Sequence, residues 1–169
     1  MIKKYEFWLL VVLILVYVLA VEAKSEVPNN QLNKQQKHSE KIIALTLLME
    51  ARGEGIKGMM MVAQVINNRA IERGMSLTQI CLQPKQFSCW NGINNSNLIY
   101  ELQSPKYSKL LLTKEGEIAL GIAREMVIGF KPFSSEKKYN HYHNTSVSPK
   151  WAANKKGYTE GKHVFYCLK

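Results

Sequence analysis

The stretch Met49-Glu50-Ala51-Arg52-Gly53-Glu54-Gly55 places two carboxyl groups four residues apart at the end of an apolar run. On a helix, Ile43, Leu47 and Glu50 fall at i, i+4 and i+7, so Glu50 shares a face with apolar side chains. Desolvation favours the protonated form of a carboxyl group, and a proton held near neutral pH is what a general acid needs to protonate a leaving oxygen. The second chemistry open to two carboxyl groups is a glycosidase pair, which must flank the bond at roughly 5–9.5 Å separation. Glu50 and Glu54 project from one wall, which is unsuited to gripping a sugar from both sides. All thirteen acidic residues are glutamates. The chain therefore has no aspartate to act as nucleophile, metal ligand or triad orienter.

Chemistry that needs a single protein carboxyl group remains. Cleavage next to an N-acetylmuramyl residue fits, because the substrate's own acetamido and C6 hydroxyl groups are internal nucleophiles. Other constellations point elsewhere. His141 and His143, with His163 and Cys167, resemble a set of metal ligands, and His-x-His on a strand puts both rings on one face. The usual zinc spacings are missing, so no metal or other cofactor is expected. A zinc-dependent N-acetylmuramoyl-L-alanine amidase is the enzymatic alternative. Cys89 with a histidine is the signature of a cysteine peptidase only in its weakest form. Trp90 and Trp151 stand in polar loops and are expected to line a groove by stacking on sugar faces. Met59, Met60 and Met61 read as core filler.

These residues need elements to hold them. Ser39 is a plausible N-cap for a helix running to about Ala51, broken by Gly53, Gly55 and Gly58. A second helix is expected from about Lys57 to Arg73 with Gly74 as its stop, and a short third one follows Ser76 and ends before Pro84. The segment around Trp90 is rich in Asn, Ser and Gly and reads as too polar for core. Thr113 to Ile128 is the strongest amphipathic helix of the second half, closed by Gly129 and Pro132. Tyr139 to His143 and His163 to Cys167 read as short strands. Helices first and strands last predict an α+β domain with a small C-terminal β-sheet.

Charge and the N-terminus narrow the partner. The chain of 169 residues carries a formal net charge of +10, which suits an anionic polymer or surface. Lys3 and Lys4 precede an unbroken apolar run, residues 7–21, and Val21-Glu22-Ala23 resembles a cleavage site. The run falls short of the roughly 18–20 residues that span a bilayer. Residues 1–23 thus read as a signal peptide or a membrane anchor, 24–38 as a polar linker, and 39–169 as the functional domain. Removing residues 1–23 takes away two lysines and two glutamates, so the remainder keeps its charge of +10. An exported, monomeric protein of the periplasm or cell envelope is expected, with no nucleic-acid partner. Three cysteines allow at most one internal disulfide.

The segments "MEARGEG…GMMMVAQVINNR", "QPKQFSCWN", "YHNTSVSPKWA" and "GKHVFY" resemble, in order and spacing, the SleB/CwlJ-type cell-wall hydrolases. The resemblance runs from about Ile42 to Tyr166. It implies cleavage of peptidoglycan between N-acetylmuramic acid and N-acetylglucosamine, on a lysozyme-like or transglycosylase-like catalytic domain. It also implies Glu50 as the catalytic residue, with Glu54, Gln86, Phe87, Ser88, His143, Trp151 and His163 at the substrate. A membrane-tethered peptidoglycan-binding protein without activity is the non-enzymatic alternative, and the intact motif around Glu50 argues against it.

Overall fold

From Ile42 to Leu48 every side chain is buried, the apolar ones at no more than 1% exposure. A helix apolar on all sides belongs at the centre of a domain, and that is where helix α1 (Asn29–Ala51) runs. The computed structural model describes residues 29–129 and 138–168. Residues 37–169 cluster as one unit. The helix begins ten residues before Ser39, within the stretch that reads as linker, and residues 33–38 of it are exposed. Asn, Gln and Lys lack apolar periodicity but extend a helix at little cost. The signal-peptide or anchor segment lies outside the described residues. Among the described residues, no helix is long and apolar enough to cross a membrane.

After Ala51 a single 3-10 turn, Arg52–Glu54, leads to Gly55 at φ +65°, a conformation that favours glycine. Helix α2 (Gly55–Arg73) then packs Met59, Met61, Val62, Val65 and Ile66 into the core and ends at Gly74, whose N–H caps Ala70 O. Helix α3 (Leu77–Leu82) opens with a reciprocal capping box between Ser76 and Gln79. Helices α4 (Asn95–Gln103) and α5 (Pro105–Leu111) follow, and α6 (Lys114–Val127) is capped by Thr113. Helix α2 packs on α3 and α6, and α5 on α4 and α6.

Strands β1 (His141–Asn144), β2 (Tyr158–Glu160) and β3 (His163–Tyr166) form an antiparallel sheet in the order β1-β3-β2. The fold is α+β, as the sequence predicts. Side chains alternate between the faces of a strand. With Tyr142 paired to Phe165 and Asn144 to His163, these four share one face. His141, His143, Val164 and Tyr166 share the other. Phe165 is fully buried in the core, so the first face looks inward.

Helix α2 fixes the sheet in place. Asn68 Nδ2 donates to Tyr139 O at 2.8 Å and Arg69 Nε to Asn140 O at 2.7 Å. Asn140 Nδ2 in turn donates to both carboxyl oxygens of Glu72, at 3.1 and 3.2 Å, and to Leu168 O at 2.6 Å. These bonds satisfy backbone groups where the chain enters β1, which would otherwise be stranded at low exposure.

Candidate active site

Glu50 stands where α1 emerges from the core, half-buried between the apolar helix body and the exposed 3-10 turn. Ile43 and Leu47 do not single it out, because the helix is buried on every side. Its position at the helix end does. One carboxyl oxygen accepts Ser88 Oγ at 3.2 Å, and the other accepts the Tyr142 hydroxyl at 2.9 Å. A hydroxyl is both donor and acceptor, so Ser88 can also receive a bond from Glu50 when Glu50 carries the proton.

Each hydroxyl is delivered by a separate device. Thr46 lies one helical turn before Glu50 on the same side of α1. Its Oγ1 accepts the Trp90 indole N–H at 2.9 Å while donating to Ile42 O at 2.8 Å. Trp90 closes the 3-10 turn Ser88–Trp90, so gripping Thr46 sets Ser88 opposite Glu50. Phe87, at 1% exposure, anchors the other end of that turn under the Arg69 guanidinium, 5.7 Å from the ring centroid. Tyr142 comes from β1, held by the α2 bonds described above. Burial first, then the charge of Glu50 and the hydrogen bond to it, push the Tyr142 phenol well above its ordinary range. The shift favours the neutral phenol, the form that donates to Glu50.

Behind Tyr142 stands His163, buried at the start of β3, with its ring edge-on to the phenol at 5.2 Å. Burial lowers its pKa, while Glu54 and Glu50 pull the other way. Its Nδ1 is buried without a partner among the described residues. Glu54 faces a different element. Its Oε2 accepts the backbone N–H of Lys162 at 2.7 Å in the turn between β2 and β3. A Cβ on Gly161 would fall 1.5 Å from that oxygen, and one on Gly58 2.1 Å from the Glu54 Cβ. Two glycines therefore make room for this one side chain. On the same hairpin Lys57 Nζ meets Glu160 Oε2 at 2.6 Å.

The geometry is that of a half-buried carboxyl group in a frame of two hydroxyls, with the His163 ring behind. A family model described as Cell Wall Hydrolase matches residues 53–166. The chain belongs to the cell wall hydrolase family. No curated protein and no solved structure matches it. The hydrolase acts on peptidoglycan, and the family places its work at the cell envelope. The matched segment contains Glu54, Ser88, Tyr142 and His163 and begins just after Glu50, so the match itself does not reach Glu50.

The remaining residues singled out in the sequence divide sharply. Trp90 is a correction: at 5% exposure it belongs to the core and has no open face for a sugar. The polar loop around it misleads because Trp90 hides beneath that loop, with its one polar atom satisfied by Thr46. Phe87 is likewise buried. Gln86 is half-buried and accepts from Arg73, which also donates to Gln83. His143 and Trp151 lie on the sheet face opposite Tyr142, away from Glu50. There Trp151 packs against His141, His143 and Tyr166 at 5.4–5.6 Å between ring centroids.

Both ring nitrogens of His143 are already committed. The Asn144 carbonyl can only accept, so His143 Nδ1 donates to it at 2.8 Å, and Nε2 shares a hydrogen bond with the Tyr166 hydroxyl at 3.0 Å. Among the described residues, no group of three or more His, Cys or Glu side chains is placed to hold a metal ion. Cys89 is no thiolate either: burial, and then the charge of Glu50, drive its thiol far up, whereas a cysteine nucleophile requires a lowered pKa. The buried Cys81 thiol is pushed up to about 12 by the same desolvation.

Tyr142, which donates to Glu50, is the residue of the candidate site that motif reading misses. Strand alternation through "YNHYH" contains the signal, since it sets Tyr142 against both histidines.

Proposed function

We propose that the hydrolase cuts the glycan strand between N-acetylmuramic acid and N-acetylglucosamine as a lytic transglycosylase, with Glu50 as its one catalytic carboxyl group. Glu50 gives its proton to the glycosidic oxygen as the bond from the muramyl C1 breaks. The muramyl C6 hydroxyl then closes onto C1, aided by the acetamido group, and its proton returns to Glu50. The product is a 1,6-anhydromuramyl end, no water is consumed, and the acid is regenerated. The observation that carries this reading is the frame of Glu50: Ser88 and Tyr142 hold one carboxyl group, while Glu54 is engaged by the Lys162 amide. Tyr142 and Ser88 fix the direction in which the proton travels. Residues 1–23 serve export, as a signal peptide or an anchor, which brings the active site to its polymer.

Glu50→Gln tests the assignment. The amide keeps shape and hydrogen bonding but has no acid proton, so turnover of purified sacculi should fall at least ~10²-fold. Near-wild-type turnover in that variant would remove Glu50 from the mechanism.

A further inference from the structure

The sheet face turned away from Glu50 ends in an aromatic platform, and exposed lysines stand in the turn that carries its tryptophan. Trp151 caps the His141, His143 and Tyr166 side chains yet remains 38% exposed. His143 stacks on Tyr166 at 5.4 Å, so the layer beneath the indole is rigid. Lys150 shares the 3-10 turn of Trp151, and Lys155 donates its backbone N–H to Ala152 O at 3.1 Å, which folds Lys155 and Lys156 back beside it. All three lysines are exposed. Across residues 138–168 five lysines face a single acid, Glu160, and that acid is paired with Lys57.

An exposed indole on a rigid base offers a flat apolar surface that matches the C–H face of a pyranose ring. Exposed cations in the same turn favour a sugar polymer that carries carboxylates. We propose that this face is a second binding site for peptidoglycan: Trp151 stacks on an amino sugar of the glycan strand, and Lys150, Lys155 and Lys156 meet the carboxylates of its stem peptides. Because the strand repeats, a polymer held here raises its own effective concentration at Glu50. The site also gives the charge of +10 a local address. From the proposed function it takes only that the glycan strand is the polymer held.

The test separates holding from cutting. The full chain carrying Glu50→Gln is cosedimented with purified sacculi, alone and combined with either Trp151→Ala or Lys155→Glu/Lys156→Glu. Trp151→Ala should weaken binding about tenfold, the size of one aromatic stacking contact. The double lysine variant should weaken it at 0.1 M salt and lose that effect at 1 M, where the Debye length is about 3 Å. The lysines are exposed, so that variant keeps its fold, and thermal unfolding checks the tryptophan variant. Sacculus binding unchanged by either variant overturns the site, as does a lysine effect without a tryptophan effect. Failure here leaves the role of Glu50 intact, since turnover alone decides that.

Discussion

Replacing Gly161 by alanine should loosen the hairpin that carries His163, and the structure sets the size of the effect. Gly161 sits at φ +56°, where a residue with a Cβ pays roughly 1–2 kcal/mol. The new Cβ would stand 1.5 Å from Glu54 Oε2, so the carboxyl group must leave. With it goes the 2.7 Å bond to Lys162 N–H, worth about 1–2 kcal/mol. The two contributions give roughly 2–4 kcal/mol, a fall of order 10 °C in the unfolding midpoint for a domain of this size. Gly53→Ala is the control: nothing lies within 4 Å of its Cβ position, and stability should stay within about 0.5 kcal/mol. Glu54→Ala supplies the cycle. In that background Gly161→Ala should cost only its backbone part, about 1–2 kcal/mol. Thermal and urea unfolding read all four variants. If Gly161→Ala is as stable as Gly53→Ala, or costs the same with and without Glu54, the clasp is not there.

Glu50→Gln, besides its loss of turnover, should unfold within about 1 kcal/mol of the parent, because the amide can keep the Ser88 and Tyr142 contacts; a large destabilisation would mean that Glu50 is structural. Burial lowers the folded pKa of both His141 and His163 below the ordinary 6.5, so the unfolded chain binds protons first as pH falls. Stability should therefore be full above about pH 6.5 and decline as pH drops through the folded values. His163→Gln should flatten that decline in urea titrations between pH 5 and 8, and an unchanged slope would refute it. Cleavage of sacculi should survive dialysis against EDTA; loss restored by zinc would favour the amidase chemistry instead. Raising salt should weaken sacculus binding while leaving the saturated rate nearly constant, because the docking charges are exposed and Glu50 is half-buried. An equal fall in both would break the link between charge and docking.

Much of this architecture is legible in the sequence, and its gaps have physical causes. Ser76, Thr113 and Gly74 mark helix ends because caps and left-handed stops are local events. Helices α4 and α5 are not anticipated, since "NNSNLIYELQ" and "SPKYSKLL" offer short apolar stripes beside turn-forming residues. Strand β2 is missed for a related reason: Tyr158-Thr159-Glu160 has one exposed aromatic and is made a strand by pairing with β3. The site follows the same rule. Glu50 and Ser88 stand out because they sit in contiguous motifs, and the fold brings the two together. The division of the histidines depends on strand register, and the burial of Trp90 on a bond to Thr46, 44 residues away. Asn68 and Arg69 clamp the entry to β1, 71 residues distant, a pairing that no local pattern announces.

The most direct test of Glu50 as a lone acid is mass spectrometry of sacculi digested by the full chain. The account predicts glycan fragments ending in 1,6-anhydromuramic acid, formed without uptake of water and absent with Glu50→Gln. Fragments with free reducing ends would show that water is the nucleophile, and released stem peptides would show that the glycan is not the bond cut. Either result would contradict it.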